Sequence, residues 1–101
     1  MSDYLIINEL GGVCPVQGYG TVGGLPFYFR ARHEYWCFCV AKTPDGDPIS
    51  VWSERDGFYR EADWGDGQFA ASWMPVAEAE RIIRECAEQH RLAAGGGREG
   101  K

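Results

Sequence analysis

The sequence predicts an α+β domain: a four- or five-stranded, mainly antiparallel sheet with one C-terminal helix packed across a face. Three observations carry this. Residues 16–32 alternate in character with period two around a Gly-Gly turn, residues 35–41 are apolar on both faces, and residues 76–90 switch to three- and four-residue spacing. At 101 residues the chain is expected to form one domain over 1–94, with 95–101 as a flexible tail.

The elements follow in order. Tyr4-Leu5-Ile6-Ile7 is short enough to be either an edge strand or part of a helical turn, and Gly11-Gly12 ends it. In the next stretch Val16, Gly18, Gly20 and Val22 share one side of an extended chain, and Gln17, Tyr19 and Thr21 the other. Gly23-Gly24 is a hairpin signal, because both residues accept positive φ at little cost. Pro26 to Arg32 then places Phe27, Phe29 and Ala31 opposite Tyr28, Arg30 and Arg32, the alternation of a half-buried strand. After a turn at His33-Glu34, Trp36, Phe38 and Val40 alternate with Cys37, Cys39 and Ala41. Neither side is polar, so this segment reads as the central strand, with a cover required on each face.

Residues 43–48 are a dense turn cluster, and Ile49 to Ser53 reads as a strand with Ile49 and Val51 inward. Asp56-Gly57 is a second hairpin signal ahead of a strand from Phe58 to Asp63, closed by Gly65-Asp66-Gly67. Phe69 to Trp73 reads as a last short strand. Pro75 suits a first helical position, and the helix is expected to run to about Leu92, with Gly95-Gly96-Gly97 stopping it. Val76, Ala79, Ile82, Ile83, Cys86, Ala87 and His90 form its apolar stripe, and Arg81–Glu85 and Arg84–Glu88 are its expected i,i+4 pairs.

Composition narrows the function. Hydrophobic residues make up 45% of the chain, too many for a disordered segment. No apolar run approaches the ~20 residues that span a bilayer. The start, Met1 to Glu9, has neither the basic nor the long apolar region of a signal peptide, so a cytoplasmic location and reduced cysteines are expected. The formal charge of −5 is concentrated in one stretch. Asp45, Asp47, Glu54, Asp56, Glu61, Asp63 and Asp66 face only Arg55 and Arg60 there, while the flanking segments each balance. Such a patch repels nucleic acid and attracts a basic partner. Trp52, Phe58, Tyr59 and Trp64 are interleaved with it.

Nothing supports an enzyme: no Cys/His pair has a third orienting group, and Gly18-Tyr19-Gly20-Thr21-Val22-Gly23 leads into a strand instead of a nucleotide-binding helix. Tyr28, Arg30 and Arg32 make a small basic-aromatic strip able to clamp an anion, or else to pair internally with the acidic segment. Asp45, Asp47, Asp56 and Asp66 sit beside glycine and suit turns. Glu54, Glu61 and Asp63, placed with Trp52 and Trp64, suit a protein-binding patch, since aromatic anchors ringed by charge dominate interface energetics. The candidate partner-binding set is therefore Asp45, Asp47, Trp52, Glu54, Asp56, Glu61, Asp63, Trp64 and Asp66. A second reading gathers Cys37, Cys39, Cys86 and His90 into a zinc site, although close Cys-x-x-Cys knuckles are absent.

The segment Gly18 to Arg32 (GYGTVGGLPFYFRAR), followed by Trp36, resembles small proteins of bacterial prophages and mobile elements over about the first half of the domain. The profile as a whole (short, acidic, one domain, no catalytic motif) is similar to that of anti-CRISPR inhibitors. That resemblance implies a non-enzymatic inhibitor without cofactor. It would act as a DNA mimic on the basic groove of a nucleic-acid-binding effector such as a CRISPR-Cas complex. An exposed edge strand leaves both monomer and homodimer open.

Overall fold

The computed structural model describes residues 4–12, 15–65 and 70–99, the last five by backbone alone. Five strands form one antiparallel sheet: β1 Leu5–Gly11, β2 Val16–Val22, β3 Leu25–Arg32, β4 Tyr35–Val40 and β5 Phe58–Asp63. They lie in chain order, each paired with its neighbour. A helix, α1, spans Val76–Glu99. The predicted α+β class is the observed one.

Local chemistry accounts for the meander. Gly23 and Gly24 have φ of 60° and 81°, the two positive values that a tight primed hairpin turn requires. At the next corner His33 adopts φ 60°. That corner is held from outside: the His33 amide donates to Ser72 Oγ at 2.8 Å, and the Ala71 amide donates to the His33 carbonyl at 2.9 Å. β1 is an edge strand, and its register with β2 shifts by one residue between Ile7 and Glu9, a bulge.

The core lies between the sheet and α1. Val16, Val22, Phe27, Phe29, Phe38 and Val40 from the strands meet Ala79, Ile82, Ile83, Cys86 and Ala87 from the helix, all buried. Phe27 and Phe38 stack at 5.2 Å, and Phe58 meets Phe38 edge-on at 6.2 Å. Gly18 and Gly20 leave room on this face: a Cβ on Gly18 would meet Ile83 Cδ1 at 3.4 Å, and one on Gly20 would meet Phe27 Cε2 at 2.8 Å. The glycines therefore serve close packing, as a strand in front of bulky neighbours needs.

His90, near the end of the helix stripe, closes the other side of the core. Its Nδ1 is 2.6 Å from the Tyr4 hydroxyl, and its ring meets Phe58 edge-on at 4.9 Å. Burial holds its pKa below the 6.5 of an exposed imidazole. The unfolded chain therefore takes up the proton first, and stability present above that value is lost as pH falls through the folded pKa. Urea unfolding between pH 7 and pH 5 should show a falling midpoint, with a shallower slope in His90→Gln.

Several expected elements differ. β3, not β4, is the middle strand, because β5 joins the sheet beyond β4. Ile49 to Ser53 is not a strand. A 3-10 turn covers Pro48–Ser50, where Pro48 lacks a ladder donor and Asp47 caps the turn by accepting from the Ile49 amide at 3.0 Å. Val51 is buried as expected, but Ile49 is 51% exposed. The segment read as a strand from Phe69 to Trp73 is a 3-10 turn over Ala70–Trp73, with Phe69 outside the described residues. The helix continues through Gly95-Gly96-Gly97 to Glu99. Val76 is 45% exposed and so lies off the buried stripe. Arg81 bridges Glu85 at 2.7 Å as predicted, but Arg84 reaches back to Glu80 at 2.8 Å instead of forward to Glu88, which pairs with Arg91. An acid N-terminal to its base is the better order against the helix dipole.

Candidate functional site

One face of the sheet packs against α1 and the turn at Ala70–Trp73; the other is covered by less, and the candidate site lies there. Register decides which side chains share this open face, since directly opposed residues point the same way. Arg30 lies between Gln17 on β2 and Cys37 on β4, and Cys37 lies next to Glu61 on β5. One step along, Tyr19, Tyr28, Cys39 and Tyr59 form a parallel row. A further row is Arg32, Tyr35 and Asp63.

The long β4–β5 connection folds back over these rows. Val51 is buried against Cys37, Cys39 and Tyr59, making a small second core. The two covers demanded by the all-apolar β4 are thus the helix on one side and this connection on the other. Between connection and sheet lies a cavity of about 120 Å³, walled by Tyr28, Arg30, Tyr59 and the two thiols and roofed by Ile49, Val51 and Trp52.

The acidic residues that the sequence singled out have distinct duties. Asp45 accepts from the Thr43 hydroxyl at 2.9 Å. Asp47 caps its turn and also accepts from Ser50 Oγ at 3.1 Å. Asp56 accepts from the Trp52 amide at 3.3 Å. These three therefore shape the connection, as the turn reading expected. Asp66 lies outside the described residues. Glu54 pairs with Arg60 at 3.3 Å, and Arg60 also lies 4.2 Å over the Phe58 ring. Glu61 accepts from the Tyr59 hydroxyl at 2.7 Å, and Asp63 is exposed at the end of β5.

The two tryptophans part company. Trp52 is 73% exposed on the connection, whereas Trp64 turns toward the core, with Nε1 donating to Glu78 at 3.5 Å. Glu61, Asp63 and Trp52 all neighbour Tyr35 or Tyr59 on the open face; Trp64 does not join them. Arg30 and Arg32 form no salt bridge among the described residues, so the internal pairing expected with the acidic segment is not observed.

The zinc reading fails on geometry. Cys37 and Cys39 lie in the small core of the open face, while Cys86 and His90 lie on the helix side. The sheet separates the two pairs, and no group of three metal-ligating side chains occurs among the described residues. Cys86 is pushed up to about 12 by burial. Cys37 is held below the usual thiol value, chiefly by the Cys39 hydrogen bond and further by the Arg30 guanidinium. Cys39 is raised by that same hydrogen bond and by burial. Of the three described cysteines, Cys37 is the one whose pKa is lowered.

Sequence reasoning noted Tyr28 and Arg30 as a strip but did not connect them with Tyr59, Cys37 and Val51. The period-two phase of three successive strands carried that information; the backward fold of residues 48–52 had no comparable signal.

The fold and site together define an α+β domain with one closed and one half-open sheet face. No family model, curated protein or solved structure matches this chain. Among the described residues no helix is long and apolar enough to cross a membrane.

Proposed function

We propose that this domain is a non-enzymatic protein-binding inhibitor that presents the Ile49–Trp52 segment, within an acidic surround, to a basic partner. The observation that supports it is Trp52, 73% exposed beside Ile49 at 51%, on a connection stiffened by Asp47 and Asp56. An exposed indole on an anchored backbone loses less conformational entropy on docking than one on a free loop, which is how a small surface gains affinity. Glu61 and Asp63 on the adjoining strand supply carboxylates to a cationic rim, and the remaining acids add to the attracting field. A protein groove that grips nucleic-acid phosphates through Lys and Arg is a partner of suitable chemistry. An effector of the CRISPR-Cas type would be one, with this domain as mimic of its nucleic acid.

The aspartates that shape the connection should be left intact in any test. A tagged domain incubated with cell lysate should retain a protein that elutes as salt is raised. Trp52→Ala should weaken that retention about 30-fold, the size of a typical hot-spot loss. Glu61→Lys with Asp63→Lys should abolish it at low salt. Retention indifferent to both variants would overturn the reading.

A further inference from the structure

We propose that the cavity beneath the Ile49–Trp52 segment binds a small molecule carrying a carboxylate on one flat apolar ring, with Arg30 receiving the carboxylate. This goes beyond protein binding by the outer surface of the same segment and stands or falls separately from it.

Size sets the body of the ligand. A cavity of roughly 150 Å³ accommodates benzene, and this one is about 120 Å³ with an open mouth. Its apolar walls, Val51, Ile49 and the Trp52 ring, come from the connection; Tyr28 and Tyr59 come from the sheet. A single ring fits between these two layers.

Charge sets the other end. Arg30 is the charged residue of the lining, and it is positive. It is half-buried, yet forms no salt bridge among the described residues. Guanidinium is always protonated and presents a planar fork of donors that matches a carboxylate. The nearest acid along the same row is Glu61, two strands away, or ~10 Å at ordinary strand spacing. Glu61 is moreover already accepting from Tyr59. The polar groups around Arg30 include the Gln17 amide opposite it on β2, the Tyr28 hydroxyl and the Cys37 thiol, none an anion of carboxylate strength. The domain's negative field opposes an incoming anion, but at physiological salt it is screened beyond ~8 Å, whereas the Arg30 contact is direct.

Cys37 makes the site readable. Its lowered pKa depends in part on Arg30, so a carboxylate drawn to that guanidinium should raise it and also block access. Benzoate is the probe, with benzyl alcohol as its neutral counterpart. Titration of the full chain with benzoate, followed by amide chemical shifts, should saturate with Kd of about 1 mM or tighter. The shifts should cluster at residues 28–30, 37–39, 49–52 and 59. Benzyl alcohol should bind at least tenfold more weakly. Saturating benzoate should slow iodoacetamide alkylation of Cys37 at least tenfold without affecting Cys86. Arg30→Gln should remove the preference for benzoate, while Arg32→Gln should keep it. Equal binding of the two probes to the unaltered protein, shifts elsewhere, or no saturation by 20 mM benzoate (a ceiling about twentyfold above the expected Kd) would overturn the proposal, whether or not Arg30→Gln folds.

Discussion

Phe38→Ala should lower the stability of the domain by about 3–5 kcal/mol, the cost of emptying an aromatic side chain from a close-packed core. Phe38 is fully buried on β4 and touches aromatic rings on both sides, Phe27 at 5.2 Å and Phe58 at 6.2 Å. Phe58 in turn meets His90 at 4.9 Å, so the cavity would open at the junction of β3, β4, β5 and α1. None of these neighbours can close it without leaving its own partner. A domain of this size has about 5–15 kcal/mol in total, so the loss would remove a large share of its stability. Urea unfolding should show a lower midpoint at unchanged slope. A drop under 1 kcal/mol would mean that the ring cluster is not the centre of the core.

Gly20→Ala should be comparably damaging for the opposite reason. An added Cβ would fall far inside van der Waals distance of the Ile6 carbonyl oxygen and 2.8 Å from Phe27 Cε2. The carbonyl belongs to the backbone of β1, so no side-chain rotation relieves the clash; the strand itself must move away from β2. Ordinary overpacking costs about 1–3 kcal/mol, and displacing a strand belongs at or above the upper end. Hydrogen exchange should distinguish it from Phe38→Ala, because the β1 amides should lose protection before the rest of the sheet. Gly11→Ala is the internal control: a Cβ there meets nothing within 4 Å, and its effect should stay within about 0.5 kcal/mol.

Where the polypeptide repeats a simple period, its structure could be read in advance. Alternation identified β2, β3 and β4, the glycine pair identified their first turn, and the spacing of Ala79, Ile82, Ile83, Cys86 and Ala87 identified the buried face of α1. Failures fall where one local interaction decides the matter. Ile49 and Val51 alternate like a strand, but Pro48 and the Asp47 cap impose a 3-10 turn. Gly95-Gly96-Gly97 looks like a stop, yet the backbone remains helical to Glu99. For the site, the roles of Asp45, Asp47 and Asp56 as turn formers were legible from their glycine and proline neighbours, whereas the inward turn of Trp64 was not. An indole that donates to Glu78 fourteen residues away depends on how the chain returns after β5. Likewise Arg30 and Val51 meet only because a long connection doubles back, a tertiary fact that no period encodes.

The bulge in β1 has a bearing on how this domain behaves when concentrated. A meander has two outer margins, and a regular ribbon at either could template the addition of another molecule. At one margin the slip between Ile7 and Glu9 interrupts the row of donors and acceptors that such a neighbour would have to match. At the other, Arg60, Glu61 and Asp63 place formal charges along β5. Both margins thus carry, within the described residues, features that discourage fibrillar stacking.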